Sequence, residues 1–155
     1  MKYIILFTLF ILSLNAQELK IKANSFSADE KTGVTFFEGD VKIVKHLDEL
    51  NASKVVIYTD ANHKPTKFEA NGDVSFFITT KDKSIYTGKA QKVIYIPKTK
   101  EYYFYKDVYL SQLNEKKEII GDEVVLKTLE GKAYAKGKKT GPIIMIFDIP
   151  DTEEK

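Results

Sequence analysis

The sequence predicts an elongated all-β fold built from repeated bent strands. Short β-branched and aromatic segments are separated by turn residues at intervals of about 8–12 residues, which is typical of sandwiches, barrels and rolls. After residue 17, no stretch keeps apolar residues at helical spacing for long. The 155 residues include 9 Tyr and 10 Phe, which favour strands, but no Trp. One domain is expected at this length.

The first segment has the pattern of a secretory signal peptide. Met1-Lys2 is followed by the apolar residues 3–14 and then by Ala16. We therefore predict a signal peptide over residues 1–16, cleavage after Ala16, and a mature domain over residues 17–150 outside the cytoplasm. An uncleaved membrane anchor is the alternative, although the apolar run is shorter than the ~20 residues that span a bilayer.

The body of the chain is a two-part repeat that we count four times. The first part has a small residue, then a polar one, and apolar residues at its fourth and sixth places; it starts at Ala23, Ala52, Ala90 and Gly121. The second part is centred on Gly39-Asp40-Val41, Gly72-Asp73-Val74, Lys106-Asp107-Val108 and a degraded copy at Gly137. Glycine followed by Asp inside a strand predicts a bulge or bend. A single bent unit cannot bury its apolar face, so the units are expected to stack.

Composition excludes several functional classes. All 24 cationic residues are lysine against 22 Asp and Glu, for a net charge of +2, and the missing arginine argues against specific nucleic-acid recognition. There is no Cys, and His46 and His63 are not at metal-ligand spacing. The three aspartates of the Asp-Val pairs stand at predicted bends, where Asp bonds its local backbone. We therefore predict no catalytic residues, no metal site and no cofactor.

With its leader and its ordered Ala-polar-x-Val and Gly-Asp-Val units, residues 19–147 resemble the LptA/OstA-like family of periplasmic lipopolysaccharide-transport proteins. The resemblance implies a slightly open OstA-like β-jellyroll that is not an enzyme. It implies a carrier that passes lipopolysaccharide from the inner-membrane export complex to the outer-membrane translocon for outer-membrane assembly. Implied partners are lipid A, the OstA-like domains of inner-membrane LptC and outer-membrane LptD, and other copies head to tail. A membrane-anchored LptC-like subunit is one alternative, and a periplasmic glycan-directed enzyme or adhesion module is another.

Sixteen inward-facing residues are candidates for a lipid-binding groove, although each is equally required by an ordinary β core. They are Phe26, Phe37, Val41, Ile43, Val55, Ile57, Phe68, Val74, Phe76, Val93, Tyr95, Phe104, Val108, Leu110, Val124 and Leu126.

The two ends of the domain are candidates for partner-binding edges. Leu19 and Ile21 alternate with lysines at one end, and Ile143, Met145 and Phe147 belong to an apolar run at the other. That run is either an exposed edge strand or a closing core strand. Residues 151–155 are expected to form a disordered tail. Lysines near 81–83, 116–117 and 136–139 are interpreted as solvated turns, with contact to lipid phosphates at the groove mouth as the alternative.

Overall fold

The computed structural model describes residues 18–150, and this part of the chain is all-β. The strands are β1 (Leu19–Lys22), β2 (Ser25–Asp29), β3 (Val34–Lys45), β4 (Asp48–Thr59), β5 (Pro65–Thr79), β6 (Ile85–Ile96), β7 (Glu101–Gln112), β8 (Lys117–Lys127), β9 (Lys132–Lys136) and β10 (Ile144–Phe147). The predicted signal peptide, residues 1–16, and the predicted tail, residues 151–155, lie outside the described residues. Within residues 18–150 there is no helix long and apolar enough to cross a membrane.

The strands form one antiparallel sheet that follows the chain. Its order is β1-β3-β4-β5-β6-β7-β8-β10, with β2 beside β3 and β9 beside β8. Short turns connect neighbouring strands, which is why consecutive strands pair as hairpins. Two short strands share each outer long strand: β1 and β2 pair with opposite halves of β3, and β10 and β9 pair with opposite halves of β8.

The long strands bend where the sequence predicts. The pairing register shifts between Glu38 and Val41 in β3, between Asn71 and Val74 in β5, and between Tyr105 and Val108 in β7. At each place two consecutive residues have positive φ: Gly39 and Asp40 (81° and 45°), Gly72 and Asp73 (82° and 43°), and Lys106 and Asp107 (61° and 50°). The bend therefore persists where Lys106 replaces glycine. Gly137 follows the end of β9 and has no positive φ, so the fourfold count of the repeat is not confirmed.

The small and polar residues of the repeat lie opposite these bends. Each valine that follows a bend faces a small residue on the next strand: Val41 faces Ala52, Val74 faces Ala90, and Val108 faces Gly121. The polar residues after Ala52 and Ala90 both contact the second bend. Ser53 donates a hydrogen bond to the Gly72 carbonyl at 3.3 Å, and the Gln91 amide donates to Asp73 Oδ1 at 3.1 Å. The repeat thus supplies a polar contact from each strand that flanks the second bend.

The bends divide the sheet into two leaves. The first leaf contains β1, β10 and residues 41–45, 48–52, 74–79, 85–90, 108–112 and 117–121; the second contains β2, β9 and residues 34–38, 54–59, 65–71, 92–96, 101–105 and 123–127. The inner faces of both leaves supply one apolar core. Its most deeply buried side chains lie in the long strands, within a few residues of the bends: Val41, Val55, Val74, Phe104, Val108, Leu110 and Val124.

Candidate functional site

An apolar cavity of about 400 Å³ lies between the two leaves, at the strand ends remote from the bends. Both leaves form its walls. Successive side chains of a strand point to opposite faces of the sheet, and along every strand the same set of apolar side chains points inward. The first leaf contributes Leu19, Ile43, Leu50 and Ile78, and the second contributes Phe68, Ala70, Val93, Tyr95 and Tyr102. The volume is within the range of small-molecule pockets.

A second cavity, of about 380 Å³, lies beside the first toward the carboxyl-terminal end of the sheet. Its lining combines charged side chains, such as Glu115 and Lys117, with apolar ones: Tyr86, Leu110, Ile119, Leu126, Ala133 and Met145. The two cavities are adjacent, since Ile78 of the first pairs with Tyr86 of the second, and Tyr102 of the first pairs with Leu126 of the second. We call the combined space, lined by the residues named here and in the preceding paragraph, the mouth groove; it runs across the strands from β1 to β10.

A row of aromatic rings forms part of the wall and floor of the mouth groove. Ring centroids are 6.1 Å apart for Phe68 and Tyr95, 4.5 Å for Tyr95 and Tyr102, 6.3 Å for Tyr102 and Phe104, and 4.8 Å for Phe104 and Phe76. Aromatic pairs at such distances stabilise each other beyond the area that they bury. The row is therefore a stiff apolar surface that links the groove to the core.

The phenols in this row are held in their neutral form. Burial raises the pKa of Tyr102 well above its usual value, and the hydroxyl of Tyr95 contributes to the same rise. Burial also raises the pKa of Tyr95 and of Tyr86 at the other end of the groove. These three side chains carry no charge at neutral pH, which suits the binding of apolar groups.

Most of the sixteen predicted groove residues lie in the core. Eleven of them are buried: Val41, Val55, Ile57, Val74, Phe76, Val93, Phe104, Val108, Leu110, Val124 and Leu126. Six of the sixteen line the cavities: Ile43, Phe68, Val93, Tyr95, Leu110 and Leu126. Phe37 packs against the core from its edge.

Several lining residues were missed by the sequence analysis. Leu50, Ile78, Tyr86, Tyr102 and Ile119 face the groove, and none of them is among the sixteen. Ile78 and Tyr102 could have been found, because each stands two residues from a predicted inward Phe on the same strand. The alternation of inward and outward side chains therefore extends along each strand beyond the residues nearest to the bend.

Phe26 is placed differently from the prediction. It faces Phe37 across the β2–β3 pair, with the ring centroids 6.2 Å apart, so it lies on the inner face of the second leaf. Its side chain is nevertheless 71% exposed. The physical reason is its position on an edge strand, where the first leaf offers only the short β1 to cover it.

The predicted edge residues lie at the two opposite ends of the sheet. Leu19 and Ile21 are in β1, Met145 and Phe147 are in β10, and Ile143 directly precedes β10. All four residues of β10 are about half exposed, from 50% to 53%. A strand exposed on both faces is an edge strand rather than a closing core strand, and its outer row of backbone groups is open for pairing.

Among the residues that the structure describes, there is no cluster of side chains suited to catalysis or metal binding. Asp73 Oδ1 accepts a hydrogen bond from the Gln91 side-chain amide, the Asp73 backbone N–H donates to Gln91 Oε1, and Asp107 pairs with Lys138. These two carboxylates thus contact side chains from distant parts of the chain, whereas the sequence analysis predicted bonds to the local backbone. His46 and His63 are exposed in turns. Between residues 18 and 150, no group of three or more His, Asp or Glu side chains is arranged to hold a metal ion.

Comparison with known proteins identifies both a family and a fold. Residues 20–132 match the family model described as LptA/(LptD N-terminal domain) LPS transport protein. No curated protein matches the sequence. The crystal structure of LptH from Pseudomonas aeruginosa, the LptA homologous periplasmic component of the conserved lipopolysaccharide transport device, superposes with a TM-score of 0.72. At 20% identity the alignment covers 86% of this chain and 96% of that one, which confirms the predicted all-β jellyroll.

Proposed function

Since the chain belongs to the LptA/(LptD N-terminal domain) family of lipopolysaccharide (LPS) transport proteins, we propose that it is a periplasmic LPS carrier. The family comprises transport proteins, so the prediction that the chain is not an enzyme is confirmed and the glycan-directed enzyme is set aside. In the proposal, the protein takes LPS from the inner-membrane export complex and passes it toward the outer-membrane translocon, and this transfer serves outer-membrane assembly.

The observation that carries this proposal is the mouth groove. Apolar side chains from both leaves line its two cavities, of about 400 and 380 Å³, and the smaller cavity carries charged side chains as well. Each CH₂ group removed from water contributes about 0.8 kcal/mol, so the acyl chains of lipid A gain substantially by lying between the leaves. Because no covalent bond is made to the cargo, the lipid can leave the groove as it entered.

The edges of the sheet supply the proposed route for transfer. β1 and β10 each expose a row of unpaired backbone groups, and β-strand addition uses such rows to join proteins. We assign β1 and β10 to pairing with the OstA-like domains of LptC and LptD, and with further copies of this chain head to tail. Such pairing would align the mouth grooves of successive domains.

The proposed location is the periplasm, reached by cleavage after Ala16. A membrane-anchored LptC-like subunit differs from this only in keeping residues 1–16. Cell fractionation with mass spectrometry of the amino terminus separates the two. A protein that starts at Gln17 in the soluble periplasmic fraction supports the carrier, and an intact amino terminus in the membrane fraction supports the anchored subunit.

Photo-crosslinking in LPS-producing cells tests the groove with matched neighbours. A crosslinking amino acid at Tyr102 or Ile119 faces the mouth groove, whereas one at Tyr103 or Ile120 faces the outside of the same strand. We expect LPS adducts at Tyr102 and Ile119 and none at Tyr103 and Ile120. Equal labelling at inner and outer positions, or no labelling at any of the four, contradicts the proposal.

A further inference from the structure

Two lysines, Lys45 and Lys81, lie at the rim of the mouth groove on the side of the first leaf. Lys45 ends β3, lines the larger cavity and lies opposite Asp48 across the β3–β4 turn. Asp48 Oδ1 accepts a hydrogen bond of 2.7 Å from the Thr79 backbone N–H. This bond holds the end of β5 beside the β3–β4 turn, and Lys81 follows two residues later.

A third lysine faces them from the second leaf. The β6–β7 turn begins at Pro97, which lines the same cavity as Lys45, and ends at Lys100. The Lys100 carbonyl accepts hydrogen bonds from the Thr128 hydroxyl at 2.7 Å and from its backbone N–H at 3.4 Å, which anchors the turn. Repulsion from Lys81 is the largest cause that lowers the pKa of Lys100, and Lys45 adds to it. We call Lys45, Lys81 and Lys100 the mouth lysines.

Nearby carboxylates are already engaged by other partners. Asp48 accepts from Thr79, Glu49 binds Lys42 at 2.9 Å, and Asp82 accepts from Ser84 Oγ at 3.0 Å and from the Thr80 hydroxyl. Among residues 18–150, none of the mouth lysines takes part in a salt bridge. Asp48 and Asp82 keep their negative charges, since their hydrogen bonds come from neutral donors, so the three lysines exceed the carboxylates that are not paired with a cation by one charge.

We propose that the mouth lysines bind a phosphate group carried by an amphiphile whose acyl chain lies in the mouth groove. Clustered ammonium groups repel one another, and an anion among them relieves that repulsion. Lysine binds phosphate as a point charge on a flexible stem, so lysines from the two leaves can reach one anion. The apolar cavity begins at Lys45 itself, which places the charged and apolar ends of one ligand in contact. This inference rests on the proposed lipid-carrier function.

Calorimetric titration with two single-chain detergents below their micellar concentrations tests the assignment. Dodecyl phosphate and dodecyl maltoside share the acyl chain and differ in charge. The test variant is Lys81→Gln/Lys100→Gln, and the control variant is Lys89→Gln/Lys106→Gln, which removes the same charge from exposed positions at the bends. Circular dichroism and thermal melting verify that all three proteins are folded.

We expect the unaltered protein to bind dodecyl phosphate more tightly than dodecyl maltoside. The test variant should bind dodecyl phosphate about three- to tenfold more weakly and with a shallower salt dependence, while its affinity for the maltoside stays unchanged. The control variant should match the unaltered protein with both detergents. Adding Lys45→Gln to the test variant should weaken phosphate binding further.

Other outcomes overturn specific parts of the inference. Equal affinity for the two detergents, or equal loss in test and control variants, overturns the role of the mouth lysines but leaves the apolar groove as a carrier. Failure to bind either detergent overturns the proposed function as well. Titration with inorganic phosphate is the last experiment. If inorganic phosphate binds as tightly as dodecyl phosphate and its binding requires Lys81 and Lys100, the cluster is a site for free phosphate, and the proposal of an amphiphilic ligand is overturned.

Discussion

Tyr102 stacks on Tyr95 across the β6–β7 pair inside the mouth groove, with ring centroids 4.5 Å apart. An aliphatic pair would fill the same space without a polar atom. Burial raises the pKa of both phenols, so the two hydroxyls stay uncharged in an apolar wall.

The phenol of Tyr102 makes stability depend on alkaline pH. Its folded-state pKa lies above the value of about 10 in the unfolded chain, so the folded state holds the proton more tightly. The corresponding stabilisation is complete below pH 10 and is lost as pH rises through the folded-state pKa. We expect the free energy of unfolding, measured by urea titration between pH 8 and 11, to fall less steeply above pH 10 in Tyr102→Phe. At pH 8 the variant should keep most of its stability, because the phenylalanine ring retains the stacking on Tyr95. Parallel pH profiles would contradict the assignment.

Gly88 is required by the close approach of β7. A Cβ atom at this position would lie 2.0 Å from the Tyr109 carbonyl oxygen and 3.0 Å from Phe76 Cζ. Because the first of these atoms is backbone, Gly88→Ala should separate β6 from β7 and destabilise the domain by about 1–3 kcal/mol or more in chemical denaturation. Gly141→Ala is the matched control, since nothing lies within 4 Å of the added atom. Equal stabilities of the two variants would rule out this steric role.

Lys106 stores strain at the third bend. Its φ of 61° costs a residue with a side chain about 1–2 kcal/mol, whereas glycine adopts this conformation freely but loses about 0.5–1 kcal/mol more in chain entropy. We therefore expect Lys106→Gly to raise the midpoint of thermal unfolding slightly. The free energy of unfolding should rise by up to about 1 kcal/mol.

The reverse substitution at the second bend provides the comparison. Gly72→Lys should destabilise the protein, because a Cβ there would lie 2.6 Å from Ser53 Oγ and 2.7 Å from Ser53 Cβ. Destabilisation by Lys106→Gly of similar size would show that the third bend is not equivalent to the second.

Deletion of residues 143–149 should remove self-association without unfolding the domain. β10 pairs only with β8 and is half exposed on both faces, so its loss takes little from the core. We expect concentration-dependent oligomers, measured by sedimentation velocity, to disappear while the β-sheet circular dichroism remains. Leu47→Lys/Leu129→Lys, which removes exposed apolar side chains from turns, should still oligomerise. An unfolded deletion variant would instead assign β10 to the core.

Local chemistry explains which parts of the fold were predictable. The bends at Gly39 and Gly72 follow from residues that are adjacent in sequence, and the inward alternation around Val74 and Phe104 needs only the period of a strand. The same reasoning is wrong for Phe26, because the exposure of its side chain depends on what the opposite leaf places over it. The residues of β2 carry no information about the shortness of β1.

The site was less predictable than the fold. The mouth lysines belong to turns that the sequence separates widely, and they meet only after the strands have bent and the two leaves face each other. Likewise, Val41 and Tyr102 look alike as inward residues, yet one is enclosed beside a bend and the other lines a cavity.

The sheet's neighbour-only connectivity makes the length of the groove adjustable. Within residues 18–150, every backbone pairing joins strands that are neighbours in the sheet, although side chains also pack beyond the nearest strand, as Phe76 of β5 does against Phe104 of β7. Insertion of one further bent hairpin between β5 and β6 would widen the sheet by two strand spacings, about 10 Å, and would leave every existing pairing except one unchanged. Relatives of different size can thus arise by gain or loss of whole hairpins, each carrying its own portion of the cavity.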